Sequence, residues 1–191
     1  MNSQEEAALE LHLFLGDLGA PYAIIGGVAV QHWGEPRFTQ DVDLTVVAPP
    51  EGSAELTQHI LERFPSRIAD AAAFARRNRV ILVRASNGCP VDISLGVPGY
   101  EESVMLRAVD YEMDPGKSIR IYSAEDLIIH KAVAGRPQDI RDIEGIVYRQ
   151  RDALDASYIR RWLSDFADVL ADPEVQNRFE RSWKRVHLAN N

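Results

Sequence analysis

Cysteine occurs once in the 191 residues, at Cys89. One thiol cannot close an internal disulfide, so the chain reads as a protein of the reducing cytoplasm rather than a stapled secreted scaffold. Its Ser86-Asn87-Gly88-Cys89-Pro90 setting is that of a turn, with no mark of a nucleophile. The five histidines (His12, His32, His59, His130, His187) lack zinc-ligand spacing, which argues against a structural zinc site. No apolar run approaches the length that crosses a bilayer, so no membrane partner is expected. The opening MNSQEEAALE is acidic where a secretion signal needs a cationic start. The chain has no G-x-G-x-x-G, no arguable Ser-His-Asp order, no internal repeat and no low-complexity tract. A formal net charge of −8 speaks against a surface that grips nucleic-acid backbone throughout. Local basic clusters remain at Arg76, Arg77 and Arg79, and at Arg178, Arg181, Lys184 and Arg185. Each is read first as a solvated face.

With 46% hydrophobic and 26% charged residues, the composition is that of a soluble globular protein. The length suits one compact domain, or a catalytic part with a small appendage. Helical spacing of Leu11, Phe14, Leu15 and Leu18 marks a first helix closed by Gly19 and Pro21. Strands are expected at 22–25, 43–47, 79–85 and 91–95, the last two joined as a hairpin by Asn87-Gly88. A second hairpin is expected from 106–113 and 118–122 across Asp114-Pro115-Gly116. Short helices are expected at 28–33 and 53–64, the latter capped by Ser53. From Ser123 onward the pattern is helical, with Ser123 as a cap and further helices at 140–148, 158–170 and 174–186. The expected organisation is therefore a mixed α/β portion over 1–120 and a helical portion over 121–191.

The densest chemistry lies in Tyr22–Val47. A buried strand ends at Gly26-Gly27, a short helix follows, and Asp41 and Asp43 flank a valine as the next strand begins. Period-two alternation puts both carboxylates on one side of that strand. Side by side they repel, unless solvent or a divalent cation neutralises them. The Gly-Gly turn and the helix start beside it offer backbone N–H groups to an anion. Asp92 stands alone between Val91 and Ile93, so it points away from its apolar neighbours. If its strand pairs with the one carrying Asp43, three carboxylates converge and can hold two Mg²⁺ ions. One ion would bind a triphosphate and the other would activate an attacking hydroxyl, with Asp92 as ligand and base nearest the nucleophile. Arg37 can fork onto phosphate oxygens, and Thr39 can bond the loop or orient Asp41.

In the helical portion, Lys131 lays its stem along the Leu127–Ile128 stripe and can carry an ammonium to a triphosphate. Arg136 joins it as a candidate nucleotide ligand. Asp139 and Asp142 share a helix face and are suited to orient Arg136 or Lys131 by ion pairs rather than to bind metal. Each feature also has a plainer reading: a solvated strand end, a tight turn, a charged helix surface.

Taken whole, Gly26, Gly27, Ala29, Gly34, Arg37, Thr39, Asp41, Asp43 and Leu44 resemble the first motif of the nucleotidyltransferase superfamily, in its AbiEii-like branch of bacterial toxins, which includes the MenT toxins. Lys131, Arg136, Asp139 and Asp142 are similar to that branch's helical motif. The resemblance implies an α/β (α+β) fold, a mixed β-sheet flanked by helices with a C-terminal helical part. It implies transfer of a nucleoside monophosphate from an NTP to a hydroxyl of an RNA, such as a tRNA end, or of a protein. It further implies Mg²⁺ held by Asp41, Asp43 and Asp92, a triphosphate seated at Gly26 and Gly27, and a cognate antitoxin as partner. Two other readings stay open: a non-catalytic nucleotide-binding antitoxin or partner module, and a small-molecule adenylyltransferase of the aminoglycoside type, to which an acidic protein is electrostatically suited.

Overall fold

The segment Tyr-Ala-Ile-Ile, buried at all four positions, forms the strand β1 (Tyr22–Ile25) in the interior of a mixed sheet. The computed structural model describes residues 1–188. The other strands are β2 (Val42–Val47), β3 (Val80–Arg84), β4 (Pro90–Gly96), β5 (Val109–Asp114) and β6 (Lys117–Ile121). They assemble in the order β3-β4-β2-β1-β6-β5. The β1–β2, β3–β4 and β5–β6 pairs are antiparallel, and β2–β4 and β1–β6 are parallel. Both expected hairpins are present. Their turns place Gly88 and Gly116 at φ +84° and +74°, a region glycine enters without Cβ strain.

Burial alternates along β4 up to Leu95 and at the start of β2, where Thr45 then breaks the pattern by being buried. Val42, Leu44 and Val46 are buried with Val91, Ile93 and Leu95, while Asp43 and Asp92 are only half-buried. The two aspartates therefore share a face, opposite to the apolar rows.

The described residues form nine α-helices: α1 (Ser3–Asp17), α2 (Gly26–Trp33), α3 (Ser53–Arg63), α4 (Ala71–Asn78), α5 (Tyr100–Arg107), α6 (Ala124–Ala134), α7 (Pro137–Gln150), α8 (Ala156–Leu170) and α9 (Glu174–Leu188). The first begins with a capping box between Asn2 and Glu5, and Ser123 caps α6 by accepting the Asp126 N–H. Ser53 does not cap α3. Gly52 holds that position, and the Ser53 hydroxyl donates to Pro50 O instead. Apolar periodicity does not mark α4 or α5, because each buries a single side chain of its own, Ala75 and Val104. Leu106, expected in a strand, lies in the last turn of α5 and is exposed.

The chain divides into two compact units. One comprises Met1–Val28 and Phe38–Tyr122, and the other Ala29–Arg37 and Ser123–Asn191. The first contains the whole sheet. The second groups α6 to α9 with the short segment 29–37. Within it Gly34 and Gly145 permit close approach: a Cβ at Gly34 would lie 3.0 Å from Ile146 Cγ1, and one at Gly145 would lie 3.1 Å from the Glu35 amide nitrogen. No helix of the described residues is long and apolar enough to cross a membrane.

Candidate active site

In the sheet unit, the parallel pairing of β2 with β4 runs in register from Val42↔Val91 to Val47↔Gly96, and it sets Asp43 opposite Asp92. Asp41 lies two residues before Asp43, where the strand begins. Thr39 is buried, and its hydroxyl donates to Asp41 Oδ1 at 3.0 Å, which orients that carboxylate.

The two glycines have a packing reason. Gly26 sits at φ +65°, and a Cβ there would fall 2.0 Å from Asp43 Oδ2. A Cβ on Gly27 would fall 2.5 Å from Thr39 Cβ. The missing side chains let the Asp43 carboxylate and Thr39 lie directly against the first turn of α2, whose amide end favours negative charge.

Asp92 has a partner that the sequence motifs do not announce. Arg67 Nη1 donates to Asp92 Oδ1 at 2.5 Å. The residues between α3 and α4 carry no periodicity or motif, so only the fold shows that Arg67 belongs here. Cys89 is buried; burial and the charge of Asp41 push its thiol above the usual range, as befits an unreactive side chain.

As donors, three carboxylates suit a hard divalent cation such as Mg²⁺. Among the described residues no three acidic, histidine or cysteine side chains are yet gathered closely enough to hold an ion. Asp92 is turned to its arginine instead. The chemistry of the donor set fits a metal, and the side chains would have to close on it.

In the helical unit, Lys131, Asp139 and Asp142 are buried at 3%, 1% and 4% exposure. Lys131 Nζ lies 2.6 Å from Asp142 Oδ2 and 3.3 Å from Asp139 Oδ1. Arg37 forks onto Asp142 through Nε at 2.9 Å and Nη2 at 3.1 Å, and Gln138 Nε2 adds a bond at 2.8 Å. Arg136 engages Asp139 through Nε at 2.7 Å and through its backbone N–H at 3.1 Å, while 73% of its side chain stays exposed. Burial alone would raise the Asp139 carboxyl, but the Arg136 hydrogen bond and the Lys131 charge outweigh it and hold it below its ordinary value. For Asp142 burial is again opposed and outweighed, here by Arg37, Lys131 and Gln138. Thus Lys131, Arg37 and Arg136, expected at a nucleotide, are joined here through two shared aspartates, and Arg37 brings the segment 29–37 onto α7.

The basic clusters are largely paired. Arg178 donates to Ala132 O and Asp172, Arg181 meets Glu174, and Arg185 meets Glu144. Arg79 donates to the carbonyls of Leu95, Ala48 and Gly96.

The family described as "Nucleotidyl transferase AbiEii toxin, Type IV TA system" matches residues 8–187. The chain belongs to the AbiEii nucleotidyltransferase toxin family. Two solved structures share its fold. An antigenic nucleotidyltransferase-like protein from Paracoccidioides brasiliensis aligns with a TM-score of 0.54 at 16% identity, over 93% of this chain and 92% of its own. ANT(2″)-Ia, solved in complex with adenylyl-2″-tobramycin, aligns with a TM-score of 0.57 at 18% identity, over 88% of this chain and 99% of its own. No curated protein matches the chain. As an AbiEii-family protein the chain is a nucleotidyltransferase, and membership implies an NTP substrate and an antitoxin partner.

Proposed function

We propose that this AbiEii-family protein is a metal-dependent toxin that transfers an NMP from an NTP to a hydroxyl of an RNA, such as a tRNA 3′ end. The observation that carries the reading is the register pair Asp43↔Asp92, with Asp43 packed on Gly26 and Asp41 oriented by Thr39. Asp41, Asp43 and Asp92 are the residues that would hold Mg²⁺. When bound, Mg²⁺ neutralises phosphate charge and acidifies a hydroxyl.

The chain's own groups do the rest by position. The bare turn at Gly26 and Gly27 presents backbone N–H groups and the start of α2 to phosphate. Thr39 keeps one Asp41 oxygen occupied, which fixes the direction of the other. Asp92, half-buried and paired in register with Asp43, would accept the acceptor's proton. The sheet unit holds nine basic against sixteen acidic residues, a field that draws divalent cations and disfavours a bare triphosphate.

The same acidity supports a second reading, a polycationic small-molecule acceptor of the kind seen with ANT(2″)-Ia. Incubation with labelled NTPs, Mg²⁺ and either cell extract or purified aminoglycosides separates the two. Label on RNA that disappears with Asp43→Ala supports the first reading. Label on protein, or on aminoglycoside alone, rejects it in favour of that acceptor.

A further inference from the structure

Arg67 reaches Asp92 across an intervening strand. Its backbone N–H donates to Leu82 O at 2.9 Å, Ser66 forms an isolated antiparallel bridge with Val83, and Arg84 N–H donates to Pro65 O at 3.0 Å. Residues 65–67 are thereby pinned along the outer side of β3. Leu82 is the register partner of Asp92, so Arg67 is anchored level with that aspartate. The pinned backbone aims the guanidinium over β3, and Nη1 meets Asp92 Oδ1 at 2.5 Å with the two side chains 23% and 35% exposed. Asp92 in turn faces Asp43 in register. Two carboxylates on adjacent strands favour a positive charge nearby, and the Arg67 guanidinium supplies one to Asp92.

We propose that Arg67 is a placeholder counter-ion that competes with the divalent cation for the Asp92 carboxylate and so sets the metal concentration at which the site assembles. This rests on the reading of Asp92 as a metal ligand. One carboxylate oxygen cannot accept a close guanidinium and coordinate an ion at full strength together. Loading the metal therefore requires Arg67 to give up Oδ1. A half-buried pair is weak enough to be exchanged by a divalent ion, yet strong enough to raise the threshold severalfold. Arg67 is thus a positioning residue that acts through Asp92.

The test is calorimetric titration of Mn²⁺ into the full chain without nucleotide, with the metal dependence of NMP transfer measured in parallel. Arg67→Ala is expected to tighten Mn²⁺ binding roughly fivefold and to lower the half-saturating metal concentration by the same factor. Arg67→Lys, which keeps the charge, is expected to stay close to wild type. If Arg67→Ala does not fold, Arg67→Gln carries the same comparison. Unchanged or weaker Mn²⁺ binding in the neutral variant, with Asp92→Asn weakening both binding and transfer, overturns the role of Arg67 alone. If Asp92→Asn changes neither, the assignment of Asp92 fails and the inference falls with it.

Discussion

Two acid–base clusters sit in this chain, and they differ in how far their charges are used up. In the sheet unit, Asp43 and Asp92 are half-buried on one face of β2 and β4, and Asp92 is met by a single arginine. In the helical unit, Asp139 and Asp142 are buried, and between them they take Lys131, Arg37, Arg136 and Gln138. Similar residue types therefore do different work. Carboxylates saturated in the interior hold helices and the segment 29–37 in place, because removing a buried partner such as Lys131 or Asp142 leaves a buried charge uncompensated. Under the proposed reading, Asp92, half-buried and held by one partly exposed arginine, keeps coordination capacity for a ligand.

The contrast is most sharply tested by one substitution in each cluster. Asp43→Ala should reduce NMP transfer on the order of a thousandfold with an unchanged circular dichroism spectrum, since the loss is of charge organisation and not of packing. Asp142→Ala should do the reverse. It strands Lys131 in the interior and takes the fork from Arg37, and about 3–5 kcal/mol of stability should be lost in denaturant unfolding. If Asp142→Ala melts like wild type but loses transfer, the division between the clusters is wrong.

Acid gives a milder probe. Asp139 and Asp142 titrate below their ordinary range in the fold. Their contribution is therefore complete above the unfolded carboxylate pKa, about 4, and is lost as pH falls through the lower folded values. Unfolding midpoints measured from pH 6 down to pH 2 should drop below about pH 4, and Asp142→Ala should flatten that drop. Gly26→Ala should cost about 1–3 kcal/mol or shift Asp43, because the residue is at φ +65° and its Cβ would meet the carboxylate. It is expected to lower transfer more than stability. The smallest effect is expected at Arg136→Ala, whose guanidinium is mostly in water: under about 1 kcal/mol. A raised KM for NTP in that variant would give this arginine a nucleotide role beyond its bond to Asp139.

Much of this is legible in the sequence. The Asn87-Gly88 and Pro115-Gly116 turns, the alternation around Asp43 and Asp92, and the helical stripes after Ser123 are local signals that neighbouring residues reveal. The helices α4 and α5 were not legible, because a helix that buries one side chain leaves no stripe. Arg67 was not legible either, since its place depends on a strand edge that its own segment does not encode. Lys131 shows a subtler limit: its stem lies on an apolar stripe, but burial of its ammonium depends on two aspartates from the following helix.

The sequence by itself determined which side chains share a face, because period two in a strand and 3.6 in a helix are properties of the backbone. It also determined the family, whose model matches residues 8–187. Tertiary structure alone decided which faces meet. It laid β2 beside β4 so that Asp43 opposes Asp92, and it brought Arg37 to Asp142 across 105 positions of chain. The physical reason is that long-range pairing is selected by the burial and charge compensation of the whole fold, and no local repeat records it.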